Sequence, residues 1–182
     1  IYIWTPVRNY RDAKVNVEIS GAVEAPYFVL GKDTNEDWVS SIRDRPAPWA
    51  EIQSRHMIQA LPSEQIRAMG DPEAIALTWD RIMQNVFDLT GLSEAEGYPH
   101  TAPDLPSRIV SEVQLEIGAA HAGYPIGVGM HHRMNTLDGI LYGTIYHEIG
   151  HNFHPTDFYC FDGSHPQADL VTLYQQDQFG QA

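Results

Sequence analysis

The chain has 182 residues, of which 43% are apolar and 19% are charged, and its net charge is −13. This length and apolar content suffice for the core of one domain, but no apolar run reaches the roughly 20 residues of a membrane-spanning helix. The excess of acidic residues argues against a nucleic-acid-binding surface, which needs clustered Lys and Arg. The single cysteine, Cys160, excludes an internal disulfide and a Cys-rich zinc module.

The first third of the chain is predicted to consist of strands and loops. Residues 15–19 alternate between apolar and polar types, which is the two-residue period of a half-buried strand. Residues 26–31 and 57–61 are apolar segments, and both are predicted to be strands. Residues 1–61 are therefore expected to form a strand-rich part.

The clearest helix signal lies in the middle of the chain, after Asp71. Asp71 is a suitable capping residue, Pro72 suits the first helical position, and Glu73 is favourable near the positive helix end. Gly91 is expected to end the helix. A stripe of apolar side chains at spacings of three and four predicts its buried face, and it consists of Ile75, Trp79, Ile82, Val86 and Leu89.

Shorter patterns predict the remaining elements. Alternating apolar residues over 109–117 indicate a strand, and residues 118–127 are small and typical of turns. Helices are predicted over 137–152 and 168–175. Residues 62–182 are thus expected to form a helical part, which makes the fold class α+β.

The residues that carry chemistry are His147, Glu148 and His151, which form the pattern His-Glu-x-x-His. Residues four apart on a helix share one face, so the two imidazoles can bind one Zn²⁺ ion. Glu148 lies about 100° from His147 around the helix axis, where it can reach a water molecule that the metal acidifies. It can then serve as general base and return the proton to a leaving amine. The pattern predicts a zinc-dependent hydrolase.

The third zinc ligand remains open among three downstream residues. His165 follows His151 across a loop that can fold back, and we predict it as the ligand. Asp162 and Asp169 are the alternatives. Three neutral imidazoles leave the charge of the ion uncompensated, whereas a carboxylate compensates part of it, and both ligand sets bind zinc.

Two further residues are predicted to line a substrate cleft. His121 precedes the tripeptide Gly123-Tyr124-Pro125, which is typical of a turn. We therefore predict that His121 and Tyr124 contact the substrate.

Several segments together match the pattern of a known family. The most specific are His-Ala-Gly-Tyr-Pro-Ile at 121–126 and Tyr-His-Glu-Ile-Gly-His-Asn-Phe at 146–153. Further matching segments cover residues 26–31, 45–51, 110–114, 161–163 and 170–174, and the helix that follows Asp71. In these segments the sequence resembles the enhancin-like, mucin-directed zinc metallopeptidases of the gluzincin group.

The resemblance implies a gluzincin-like catalytic domain that cleaves near O-glycosylated Ser or Thr in mucin-like glycoproteins. It implies zinc held by His147 and His151, Glu148 as general base, and a Glu downstream as third ligand. Counted back from 170–174, that Glu falls on or beside His165, where this chain has no acid. The departure leaves an alternative function, a non-catalytic gluzincin-like scaffold that binds glycans or a protein partner.

The resemblance also bears on domain organisation and location. We expect one metallopeptidase-like domain over residues 1–182, truncated at its C-terminus because the catalytic domain of the family continues further. The chain opens at Ile1 without a signal-like segment, so a secreted or cell-surface location is implied by the resemblance alone.

Overall fold

A computed structural model describes residue 14 and residues 16–115, 120–153 and 165–181. The strands are β1 (Tyr27–Val29), β2 (Trp49–Gln53), β3 (Met57–Pro62), β4 (Ser107–Glu112), β5 (Ala120–His121) and β6 (Ile126–Gly129). The helices are α1 (Asn35–Asp37), α2 (Ser63–Ile66), α3 (Pro72–Thr90), α4 (Leu137–Ile140), α5 (Gly143–Phe153) and α6 (His165–Gln178). A π-helical turn over Trp38–Ile42 continues α1.

The strands form one mixed sheet in the order β1-β2-β3-β4-β6-β5. The pairs β2–β3 and β5–β6 are antiparallel, and the other neighbours are parallel. β1 and β3 confirm the strands predicted over 26–31 and 57–61. Every residue of β3 except Pro62 is buried, as expected for an inner strand that is covered on both faces. The edge strand β5 and its neighbour β6 pack against α5.

Two strand predictions differ from the structure. Residues 16–20 contain no strand, and the side chains of Val17 and Ile19 are half-exposed, since among the described residues no strand pairs with this segment. Val15 lies outside the described residues. β4 is shorter than the predicted 109–117, since its pairing with β6 ends at Glu112 and the chain then turns. The segment 118–127, which was predicted to form turns, contains β5 and the first two residues of β6, and strands of two and four residues are too short for a periodic signal.

α3 confirms the helix predicted after Asp71. The Ala74 amide donates to Asp71 Oδ1 at 2.9 Å, and Gly91 ends the helix with a φ of 70°. Four residues of the predicted stripe are buried, but Leu89 is 41% exposed. The buried face also includes Met83 and Phe87, so its centre is rotated away from Leu89 around the helix axis.

The helix predicted over 137–152 is two helices. α4 packs Ile140 into the core, and the chain leaves the helical region at Leu141, with a φ of −83° and a ψ of 55°. Gly143 then begins α5. Gly139 and Gly143 lower the helix propensity of this segment, which lets the chain turn between the two helices.

Close packing against α6 fixes the position of α5. A Cβ atom on Gly150 would lie 2.7 Å from the Ala168 Cα, so only glycine permits this approach of the two helices. α6 is held against α3 by Gln175, which is fully buried and accepts from Asn85 at 2.9 Å. The Gln175 amide donates in turn to the Ile82 carbonyl at 2.7 Å.

The predicted α+β fold class is confirmed, although β4, β5 and β6 follow residue 62, in the part that was expected to be helical. The assignment of residues 1–182 to one domain stays a prediction. Within the described ranges, no helix is long and apolar enough to cross a membrane.

Candidate metal centre

His147 and His151 lie on the same face of α5, as their spacing predicts. Their Nε2 atoms are 3.0 Å apart, and their ring centroids are separated by 4.6 Å with nearly perpendicular planes. Two neutral imidazoles at this distance form a hydrogen bond only if one of them carries its proton on Nε2, and otherwise their lone pairs repel each other. A cation between the two nitrogens relieves that repulsion, which makes the pair a candidate metal site.

α6 brings a third nitrogen to the same point. His165 is its first residue, and its Nδ1 lies 3.1 Å from His147 Nε2. One nitrogen from each of the three histidines lies within 4.8 Å of the others. Nitrogens bound to one tetrahedral zinc at about 2.0–2.1 Å are about 3.3 Å apart, so the observed separations fit this metal.

Asp169 lies behind this cluster. Its Oδ1 accepts from His147 Nδ1 at 2.8 Å, so the proton stays on Nδ1 and the Nε2 lone pair faces the other two histidines. This carboxylate is placed to orient a ligand, which differs from the alternative that Asp169 itself is the third ligand. The other alternative, Asp162, lies outside the described residues, as does Cys160.

Glu148 lies on α5, directly after His147. Its side chain is almost buried, with an exposed fraction of 9%. The carboxylate lies close enough to His121 to contribute to raising the pKa of that imidazole. A carboxylate beside the candidate ligands, with little contact with bulk water, is suited to accept a proton from a water molecule in the site.

His121 is the last residue of β5, and Tyr124 lies in the turn that connects β5 to β6. Both ring nitrogens of His121 have acceptors, the Ala122 carbonyl and the Glu112 carboxylate, each at 2.8 Å. The Ala122 carbonyl, followed by Glu112, raises the pKa of this imidazole, because both bonds favour its protonated form. Tyr124 is 66% exposed. Both residues therefore lie beside α5. The ring of His121 is hydrogen-bonded at both nitrogens, whereas the ring of Tyr124 is open to solvent.

Asn152 also belongs to this site, although no sequence pattern assigned it a role. Its side-chain amide accepts from the Gly123 amide and donates to the Gly123 carbonyl, each at 2.9 Å. The signal in the sequence was a polar amide side chain directly after His151, near the end of α5, the helix that carries His147 and His151. That position alone does not reveal the partner, which lies 29 residues away in the chain.

Comparison with known families identifies a match over most of the chain. A family model described as peptidase M60, enhancin and enhancin-like, matches residues 21–165. The matched range contains β1 to β6, α5 and the first residue of α6, and therefore all three histidines of the cluster.

Several relatives of this chain carry the name TRPM8 channel-associated factor. The chain is 40% identical over 126 residues to TRPM8 channel-associated factor 1 of Homo sapiens, covering 69% of this chain and 13% of that protein. It is 36% identical over 150 residues to the TRPM8 channel-associated factor homolog of Xenopus laevis, covering 79% of this chain and 16% of that protein. The chain therefore spans only a small part of the length of these relatives.

Solved structures share the fold at lower sequence identity. A conserved protein of unknown function from Bacillus anthracis str. Ames superposes with a TM-score of 0.73 at 22% identity, covering 85% of this chain and 34% of that one. The M60 catalytic domain of Clostridium perfringens ZmpC, solved with the sialyl T antigen, gives a TM-score of 0.70 at 17% identity, covering 85% and 33%. These likenesses show the fold alone.

Proposed function

The chain belongs to the peptidase M60 family of enhancin and enhancin-like proteins, and from this premise we propose that it is a zinc-dependent endopeptidase of O-glycosylated, mucin-like glycoproteins. One observation carries the proposal. The nitrogens of His147, His151 and His165 converge on one point, and Glu148 directly follows the first of them. The family and its fold support a metallopeptidase-type domain that holds a metal, and the identity of the metal and the substrate belong to the proposal.

The three histidines would hold the zinc ion. Bound there, zinc supplies a Lewis acid that lowers the pKa of water and polarises a peptide carbonyl. His147 is oriented for this role by Asp169, whose carboxylate also places a negative charge behind a ligand set that has none of its own. A Cβ at residue 150 would collide with α6, so Gly150 keeps His165 within reach of the other two imidazoles.

Glu148 is the general base of the proposed reaction. It accepts a proton from the attacking water and then passes it to the amine that leaves when the peptide bond breaks. Its low exposure limits competition from bulk water, and its neighbour His147 places it next to the metal ligands. The carboxylate ends the reaction in its starting state, as a catalyst must.

The substrate class is supported by the family and by one structural relative. The ZmpC domain, which shares this fold, was solved with the sialyl T antigen. We extend this class of substrate to the present chain as part of the proposal, together with a secreted or cell-surface location.

Metal analysis and one variant test the proposal. Purified protein is expected to contain about one equivalent of zinc and to cut a peptide that carries O-linked N-acetylgalactosamine on Thr. Glu148→Gln is expected to retain the zinc and to lose cleavage by at least about 10²- to 10⁴-fold. The matched control is Glu96→Gln, the same substitution at an exposed loop residue. Cleavage that survives Glu148→Gln would contradict the mechanism.

The names of the curated relatives favour a second function, a scaffold that binds a glycan or a protein partner without cleaving it. Those relatives are described as channel-associated factors, a description of association rather than hydrolysis. If this function applies, zinc-loaded protein cuts neither the glycosylated nor the bare peptide. Binding of the glycosylated peptide then survives complete removal of the metal by a chelator.

A further inference from the structure

The turn between β5 and β6 is attached to the metal helix by one amide side chain. Asn152 bonds to both the N–H and the C=O of Gly123, at 2.9 Å each, in the manner of a neighbouring strand. Gly123 has a φ of 130°, which only glycine adopts without strain. Since Asn152 directly follows His151, this bond pair sets the position of the turn relative to the candidate metal ligands.

A second anchor holds the same turn to the sheet. His121 Nε2 lies 2.8 Å from Glu112 Oε2 at the end of β4, and His121 Nδ1 lies 2.8 Å from the Ala122 carbonyl. Gly127 of β6 leaves the space for this pair, because a Cβ there would overlap the imidazole and the carboxylate. Both anchors are side-chain hydrogen bonds, and together they fix the backbone on either side of Gly123.

The turn presents Tyr124 to solvent. Its side chain is 66% exposed, and within the described ranges it makes no hydrogen bond or ring contact. A large aromatic ring is held on an anchored backbone, so contact with a ligand costs little conformational entropy. An apolar peptide side chain gains most from an enclosed pocket, which this open ring does not provide. A flat ring with a phenolic hydroxyl suits a sugar, which offers an apolar face bordered by hydroxyl groups.

We propose that Tyr124 is a stacking platform for a sugar on the substrate, and that Asn152 and the His121–Glu112 pair position it beside the metal centre. This inference rests on the proposed function, since it assigns a part of the glycoprotein substrate to a residue. It gives His121 the role of an anchor, because both of its ring nitrogens are already bonded, and it leaves the contact with substrate to Tyr124.

Binding of two matched probes tests the platform. Calorimetry would compare a Thr peptide carrying α-linked N-acetylgalactosamine with the same peptide lacking the sugar, using zinc-loaded Glu148→Gln protein so that neither probe is cut. Tyr124→Ala is expected to weaken binding of the glycosylated probe about tenfold and to leave the bare probe unchanged. Tyr124→Phe keeps the ring and is expected to keep most of the affinity. Tyr98→Ala, at another exposed tyrosine, is the control.

Three outcomes overturn this part of the inference. They are unchanged affinity in Tyr124→Ala, equal weakening of both probes, and no measurable binding of the glycosylated probe to the parent protein. Equal weakening would assign Tyr124 to the peptide rather than to the sugar.

Double substitutions test whether the two anchors act through Tyr124. We expect Asn152→Ala and Gly127→Ala to weaken binding of the glycosylated probe several-fold. The zinc content of both variants should equal that of the parent protein. Combining Asn152→Ala with Tyr124→Ala is expected to weaken binding no further than Tyr124→Ala alone, because the anchor acts through the tyrosine. Additive losses would show that Asn152 does not act through Tyr124.

Failure of the inference and failure of the proposed function give different results. If the protein cleaves both peptides without preferring the one that carries the sugar, Tyr124 has no role in sugar recognition, but the proposed peptidase activity still holds. If the wild-type protein binds the glycosylated probe in a sugar-dependent way but does not cleave it, the role of Tyr124 is supported and the scaffold function is favoured.

Discussion

The two sides of the candidate site are held in place by different forces. On the metal side, α5 and α6 pack in direct contact, with Gly150 against Ala168 and the buried Gln175 tied to α3. On the opposite side, the turn around Gly123 is held by exposed polar bonds from Asn152 and by the His121–Glu112 pair. Ligand nitrogens are thus positioned by the core, and the exposed tyrosine is positioned by hydrogen bonds at the surface.

This difference has a physical reason. Metal ligands must keep their separations within tenths of an ångström, and close-packed helices resist displacement because any gap or overlap is costly. A recognition surface tolerates small movements, so hydrogen bonds worth about 1 kcal/mol each are sufficient to hold it. Substitutions on the metal side are therefore expected to have larger effects on stability and binding than substitutions on the turn.

The largest effect is expected from His165→Ala. Loss of one of three nitrogen ligands should lower zinc affinity by about 10²-fold or more, given about 10–16 kcal/mol for complete four-ligand sites. Competition with a chromophoric chelator measures the affinity, and His100→Ala, at an exposed loop histidine, is the control. An unchanged affinity would exclude His165 as a ligand and reopen the choice of Asp162.

Gly150→Ala tests whether packing positions the ligands. Its Cβ would lie 2.7 Å from the Ala168 Cα, so α5 and α6 must separate, and we expect a loss of about 2 kcal/mol in the free energy of unfolding, with weaker zinc binding. Gly143→Ala is the matched control on the same helix, because its nearest contact would be an ordinary 3.6 Å. Urea unfolding measures both variants. Equal stability of the two would show that α6 is not closely held.

Asp169→Asn tests the residue behind the cluster. The amide keeps a hydrogen-bond acceptor for His147 but removes the negative charge, so zinc affinity should fall by about tenfold. Asp177→Asn, at an exposed position further along α6, should leave the affinity unchanged. Should both variants match the wild type, Asp169 does not support the metal ligand.

The smallest effect concerns the pH response of the turn. The pKa of His121 is raised above its usual 6.5 by the Ala122 carbonyl and then by Glu112, because both bonds favour the protonated ring. The bonds contribute stability fully below the unfolded pKa, and this contribution is lost as the pH rises through the higher folded pKa. NMR titration of the ring in wild type and in Gly127→Ala measures the shift.

Gly127→Ala is expected to bring the pKa of His121 down, since the added Cβ displaces the ring and the carboxylate without altering either residue. A wild-type pKa at or below 6.5 would mean that the anchor does not hold in solution. The metal side should be unaffected by this variant, which a parallel zinc measurement verifies.

Local patterns accounted for much of the fold. The cap at Asp71 and the stop at Gly91 depend only on neighbouring residues, and both were predicted. Strands β5 and β6 were missed because they are only two and four residues long, and because the pairing of β6 with β4 joins separate parts of the chain, which no local pattern records. The break at Leu141 was missed because the residues on both sides of it read as one helix.

The sequence by itself determined the chemistry that one helix can hold. His147, His151 and Glu148 are related by helix geometry, which acts over four residues and needs no tertiary contact. Only the tertiary structure decided which residues from other parts of the chain complete the site on this helix. His165 lies 18 residues from His147, Asp169 lies 22 away, and Asn152 reaches Gly123 across 29. Such distances in the chain are closed by packing, here by the absence of a side chain at Gly150, which no local pattern reveals.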